Sequence, residues 1–217
     1  MPLRNRPPAI ETSALTGAKT FEHVSDAALA VVAWLNANRV DYVVVGPVAR
    51  IVHGDSSARG PLAIVPAPYG RNLDRLVRAL GAARARTRLP GEATGSAGES
   101  PLAESHPVRL SPERLLDPER LTLRCGSHDL DIEGQPAGVP RYQELLYEAA
   151  KVGLAPEITA EIAGVADVAH FEHLRRTGVP PEIRVSRAVR SPAGAVVEAS
   201  AAGAARAPAA PSPLRRG

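Results

Sequence analysis

Three acidic side chains alternate along one short stretch of the chain, at Asp129, Asp131 and Glu133. Side chains two residues apart in an extended strand point to the same side, so these carboxylates would project from one face about 6–7 Å apart. Oxygen ligands at this spacing suit one shared hydrated cation such as Mg²⁺. The alternative is a charged strand edge that faces solvent and so avoids pairing with other strands. The spacing alone leaves both interpretations open.

A second candidate site lies where a predicted strand ends at a glycine. The β-branched run Tyr42–Val45 stops at Gly46, and Pro47 then begins a short apolar helical turn that Gly54 ends. A second apolar run, Leu62–Val65, has the length of another buried strand. A strand that enters a helix at a glycine presents backbone N–H groups and a positive dipole end, which suits phosphate. This stretch therefore predicts a phosphate-binding site.

The arrangement resembles the nucleotidyltransferase superfamily related to DNA polymerase β, in particular the bacterial branch of AbiEii-like and MenT-like toxins. The resemblance runs from about residue 25 to residue 178 and matches the family motifs in part. It implies an α/β (α+β) fold, a small mixed β-sheet flanked by helices, with Asp131 on the strand of the third acid. The matching positions are Gly46, Ala49, Gly54, Leu62, Ile64, Val65, Pro66 and the segment 122–133.

The same resemblance implies a site that uses Mg²⁺ and a nucleoside triphosphate substrate. Asp131 would be the catalytic acid and a metal ligand, and Asp129 and Asp55 are further candidate metal ligands. Candidate nucleotide contacts are Gly46, Ala49, Ser57 and Arg59.

The chain departs from the family where the chemistry would occur. Pro61 and Ala63 stand at the positions of two metal-binding aspartates, and neither side chain can supply an oxygen to a cation. Pro47 replaces a second glycine and removes a backbone donor. Ser57 replaces an arginine, and Glu172 replaces a lysine that contacts nucleotide. The resemblance therefore implies a nucleotidyltransferase fold with a damaged or rebuilt catalytic centre.

Two functions from different classes follow. One is a toxin-like enzyme that retains some activity and transfers a nucleotide from an NTP to RNA, such as tRNA, or to protein, with Asp131 as the surviving acid. The other is an inactive pseudoenzyme that binds a cognate antitoxin, RNA or a nucleotide without chemistry. A structural relative with no nucleotide contact is a third alternative. Fold alone does not decide among them.

Composition limits the architecture to one core. A chain of 217 residues with 44% hydrophobic content can bury one domain, and 3% aromatic content disfavours a module that binds RNA by base stacking. The net charge is +3, but six arginines and two acids beyond residue 178 give that segment +4 and leave −1 for the rest. Basic charge thus belongs to the tail, which predicts weak, salt-sensitive binding there to RNA or to an acidic protein.

Cys125 is the only cysteine, so neither an internal disulfide nor a cysteine-rich zinc site is expected. His170 and His173 lie three apart without a third ligand at a suitable spacing, and His53 is interpreted as structural. No apolar stretch reaches the length of a membrane span, and no signal-peptide pattern precedes the domain. We expect a cytoplasmic protein with no membrane association.

The domain is predicted over residues 20–178, after a flexible leader (1–19) and before a disordered Ala/Pro/Arg tail (179–217), with a flexible loop at about 90–105. Apolar periodicity predicts helices from Ser25, from a cap at Asn72, over 141–150 and over 164–177. A hairpin is expected at 121–133 and a short strand at 158–162.

Three arginines at 84, 86 and 88 alternate along a further predicted strand. The pattern is typical of a solvated strand edge, and it is also compatible with phosphate binding by guanidinium groups.

Overall fold

The computed structural model describes residues 9–10, 19–88 and 110–178. Most of the predicted leader, the 90–105 loop and the 179–217 tail lie outside the described residues. The described chain forms five helices and seven strands, which confirms the predicted α/β fold. In chain order they are α1 (Asp26–Ala37), β1 (Tyr42–Val45), α2 (Gly46–Val52), β2 (Leu62–Pro66), α3 (Gly70–Ala82), β3 (Arg86–Thr87), β4 (Leu121–Cys125), β5 (His128–Ile132), α4 (Tyr142–Glu148), β6 (Ala150–Ala155), β7 (Ile158–Ile162) and α5 (Val165–Thr177).

The strands form one mixed sheet in the order β3-β4-β5-β2-β1-β7-β6. The central strands β1 and β2 pair antiparallel, whereas β2 pairs parallel with β5 and β1 pairs parallel with β7. Every residue of β1 and β2 is buried, as expected for continuous apolar runs in the middle of a sheet. Helix α1 lies against β2, β5 and β7, while α2 and α5 contact each other and β1.

Local signals position α1 and the hairpin as predicted. The Ser25 hydroxyl accepts a hydrogen bond from the Ala28 N–H at 3.2 Å, and Asn38 caps the other end of α1. Trp34 is buried on this helix and anchors its packing. The β4–β5 hairpin turns at Gly126, whose φ of +64° is easily adopted by glycine. Cys125 is buried at the end of β4, and burial raises the pKa of its thiol to about 12, so it behaves as a core residue.

Two predicted helix boundaries are wrong. Asn72 does not cap α3, which already begins at Gly70. Its side chain instead accepts from the Asp41 N–H at 2.7 Å and donates to the carbonyls of Asp41 and Ala67, so it ties the helix to the ends of β1 and β2. The helix predicted over 141–150 ends at Glu148, because Ala150 begins the edge strand β6. Pairing with β7 here overrides the weak local helix preference.

Within residues 9–10, 19–88 and 110–178, no helix combines the length and apolar character needed to cross a bilayer.

Candidate functional site

The central strands bring the two regions singled out in the sequence together. β1, α2 and β2 form two neighbouring strands joined through a short helix, as predicted. β5 lies beside β2, and Ala63 is directly opposite Asp131 in the parallel register. On the other side of β2, Ala63 is opposite Val45, the residue before Gly46. Position 63 therefore lies between the strand that ends at Gly46 and the strand that carries Asp131.

The alternating acids occupy the interior of the sheet. Because β5 pairs with β4 on one side and β2 on the other, the solvent-facing edge considered from the sequence is wrong. The Asp131 side chain is 0% exposed, and those of Asp129 and Glu133 are nearly as buried. Glu133 follows β5, and its N–H donates to the Ile64 carbonyl at 2.9 Å. Buried carboxylates require partners, since an unpaired buried charge is costly.

Arginine side chains supply those partners. Arg124 Nε lies 2.9 Å from Asp129 Oδ1, and Arg88 bridges Asp129 and Asp131 at 3.1 Å each. Arg120 binds Asp131 Oδ2, and its Nε lies 3.5 Å from Glu133 Oε1. Arg175 Nε donates to Glu133 Oε1 at 3.1 Å. We name these groups the ion-pair chain; in order it consists of Arg124, Asp129, Arg88, Asp131, Arg120, Glu133 and Arg175.

The ion-pair chain does not fit a magnesium site. Each carboxylate lies between two guanidinium groups, and both oxygens of Asp131 are bound by arginines. Four cations against three anions leave a net charge of +1, which opposes the entry of a divalent cation. Among the residues that the structure describes, no group of three or more His, Cys, Asp or Glu side chains is placed to hold a metal ion.

Asp55, the third candidate metal ligand, belongs to a separate cluster. Its carboxylate accepts hydrogen bonds from the Ser57 hydroxyl at 2.6 Å and from Arg50 at 2.5 Å. Ser57 and Arg50 together lower the pKa of Asp55 to about 2. Arg50 also lies 3.4 Å from Glu172 on α5. Asp55 and Glu172 therefore both form ion pairs with Arg50.

Two of the candidate nucleotide contacts, Arg59 and Ala49, make contacts within the protein itself. Arg59 donates through Nη1 to the carbonyls of Ser56 and Ala58, so it stabilises its own loop. Ala49 is fully buried in α2. His53, interpreted as structural from the sequence, has its Nε2 2.8 Å from the Ala163 carbonyl and thereby joins the end of α2 to the end of β7.

Gly46 is covered by an arginine that sequence reasoning missed. The φ of Gly46 is +66°, and a Cβ atom at this position would lie 2.5 Å from Arg175 Nη2. The guanidinium group of Arg175 therefore rests on the glycine where a phosphate was expected. The glycine indicated a close approach to the backbone, but nothing local identified a residue 129 positions later as the group that approaches.

Gly46→Ala is expected to lower the free energy of unfolding by about 3 kcal/mol, because it adds left-handed backbone strain and displaces a buried guanidinium from its contact. Gly126→Ala is the matched control, since Gly126 has nearly the same φ, +64°, but no atom within 4 Å of an added Cβ. Its expected cost is the strain alone, about 1–2 kcal/mol. Urea denaturation measures the free energy of unfolding of both variants. Equal decreases in the two would contradict the close contact at Gly46.

No protein-family model and no curated protein matches this chain.

Proposed function

We propose that this chain is a nucleotidyltransferase-fold pseudoenzyme that has lost metal-dependent transfer and acts as a protein-binding module. The observation that carries the proposal is the ion-pair chain, in which Arg88 and Arg120 bind both oxygens of Asp131. Two-metal nucleotidyl transfer needs free carboxylate oxygens around the cations. Across the strand pair from Asp131, Ala63 offers none.

The Gly46 region supports loss of NTP binding as well. Arg175 occupies the space above Gly46 and is held there by Glu133. A triphosphate could reach the backbone at this point only after Arg175 had left both contacts. Pro47 also provides no N–H at the start of α2. The enzyme hypothesis would therefore require the Arg175–Glu133 ion pair to open before substrate could bind.

A protein partner is favoured by three exposed apolar residues near the end of α4 and at the start of α5, Leu146, Tyr147 and Val165, which we name the exposed apolar patch. Their side chains are large and 41%, 79% and 65% exposed. An added Cβ at Gly164 would lie 3.3 Å from Glu148 Cβ, so the end of α4 and the start of α5 are adjacent. Exposed tyrosine beside aliphatic side chains is typical of protein interfaces. The partner class includes the antitoxin that the family resemblance implies.

RNA is the less favoured partner of the folded domain. The charge outside the 179–217 tail is about −1, so the long-range electrostatic attraction for phosphate backbones is small. Deleting residues 179–217 tests whether the tail contributes RNA binding of its own. If the full-length protein and the deletion variant bind RNA equally well at low salt, the tail does not contribute to RNA binding.

The activity test combines the protein with labelled NTPs, Mg²⁺ or Mn²⁺ and total tRNA, beside an Asp131→Ala variant. We expect no incorporation by either protein and no NTP binding by calorimetry. Incorporation by the native protein would refute our proposal, and its loss in Asp131→Ala, once circular dichroism shows that this variant is folded, would support the enzyme hypothesis.

The interface test compares the native protein with Tyr147→Ser in capture experiments from its source cells. A specific partner is expected to be lost with Tyr147→Ser and retained with Arg78→Ser, which alters an exposed residue elsewhere on α3. Retention of every captured protein by both variants would contradict a partner at this patch.

A further inference from the structure

A cavity of about 470 Å³ lies beside the edge strand β3, on which Arg86 is opposite Arg124 of the ion-pair chain. Val77 and Leu80 of α3 form its apolar wall together with Leu110, and Gly81 leaves part of the wall open. Arg84 and Arg86 also line it. Volumes of this size accommodate small organic ligands.

The two arginines distinguish this cavity from an ordinary surface depression. Within residues 19–88 and 110–178, the guanidinium groups of Arg84 and Arg86 have neither a hydrogen bond nor an ion pair. Arg88, the next residue of the alternating series, forms ion pairs with Asp129 and Asp131. Of the three alternating arginines, Arg88 therefore stabilises the sheet, whereas Arg84 and Arg86 lie at the cavity without such carboxylate partners among the described residues.

The lining selects the chemical class of the ligand. Guanidinium groups bind carboxylate or phosphate oxygens through directed, charge-assisted hydrogen bonds. The rest of the lining is aliphatic and contains no aromatic side chain on which a nucleobase would stack. We propose that this cavity binds a small amphipathic anion, with an aliphatic body against Val77 and Leu80 and an anionic head at Arg84 and Arg86.

The backbone at Arg84 closes α3. Its φ of +52° is the left-handed conformation that commonly follows a helix, with the Arg84 N–H donating to the Gly81 carbonyl and the Ala85 N–H to the Leu80 carbonyl. This cap holds Arg84 beside the end of α3, which supplies Leu80 and Gly81 to the cavity.

The test is calorimetry with octyl phosphate and octanoate below the concentrations at which they form micelles, beside octanol and inorganic phosphate. We expect both amphipathic anions to bind at least tenfold more tightly than octanol or phosphate alone. Tighter binding of octyl phosphate would assign a phosphate monoester, and tighter binding of octanoate would assign a carboxylate. Equal affinities for octanol and the anions would overturn the proposal.

Two variants separate the head and body contacts. Arg84→Gln/Arg86→Gln should weaken anion binding at least tenfold, whereas Arg78→Gln, on the same helix outside the cavity, should leave it unchanged. Gly81→Leu should weaken binding by narrowing the cavity, at a position where no atom lies within 4 Å of an added Cβ. Circular dichroism verifies that each variant is folded. Unchanged anion binding in the double variant would refute the site.

Discussion

Asp131→Asn is expected to lower the free energy of unfolding by about 3–5 kcal/mol, the usual cost of removing one charge from a buried ion pair. The substitution keeps the size of the side chain but leaves Arg88 and Arg120 without the carboxylate that they share. Asp131 is completely buried and Arg88 is nearly so, so water cannot replace their interaction, whereas the partly exposed Arg120 can be hydrated and places the loss toward the lower end of this range. Urea denaturation near neutral pH measures the change.

The magnitude of this change separates a structural acid from a catalytic one. Catalytic side chains are often held in unfavourable surroundings, and their removal commonly costs little stability or increases it. Asp26→Asn is the matched control, because Asp26 forms an exposed pair with Lys19 and should change stability by less than about 1 kcal/mol. A loss of that small size at Asp131 would contradict its role as the centre of the ion-pair chain.

Ala63→Asp is expected to destabilise the protein by about 3 kcal/mol or more, since it places an additional buried carboxylate directly opposite Asp131 on the neighbouring strand. Ala63→Asp/Arg120→Ala should behave differently, because it removes a cation between Asp131 and Glu133 while it adds an oxygen ligand. We expect this double variant, unlike the native protein, to be stabilised by Mg²⁺. At ten times the dissociation constant, the gain would be about 1.4 kcal/mol, or roughly 3–5 °C in Tm.

Arg120→Ala alone is the control for the removal of one guanidinium group. A metal-dependent increase in Tm confined to the double variant would support a scaffold inherited from metal-dependent transferases. If Mg²⁺ or Mn²⁺ does not raise the Tm of the folded double variant, or raises the Tm of the native protein as much, the geometric argument for a relationship to metal-dependent transferases fails.

Local chemistry was sufficient to predict the central elements. The β-branched run before Gly46, the cap at Ser25 and the turn at Gly126 each follow from the preferences of a few adjacent residues. The family resemblance assigned Ala63 and Asp131 to one site, and the register of β2 and β5 places these two residues opposite each other. The relationship itself remains a proposal.

Local chemistry could not predict that the three carboxylates are paired with arginines. Alternation correctly put three carboxylates on one face, but their partners come from distant parts of the chain: Arg88 is 43 residues from Asp131, and Arg175 is 42 residues from Glu133. Asn72 illustrates the same limit, because it matches a helix cap locally and yet serves the ends of two strands. Sequence periodicity indicates on which face of a strand or helix a side chain lies. It does not identify the side chains from distant parts of the chain that contact it.

The position of Arg175 near the end of α5 has a consequence for synthesis of the protein. During translation Glu133 emerges from the ribosome well before its second guanidinium partner, so the nascent chain has an incomplete set of charges until the last helix is released. The final native arrangement around Gly46 must therefore form late, after almost the whole domain has left the exit tunnel.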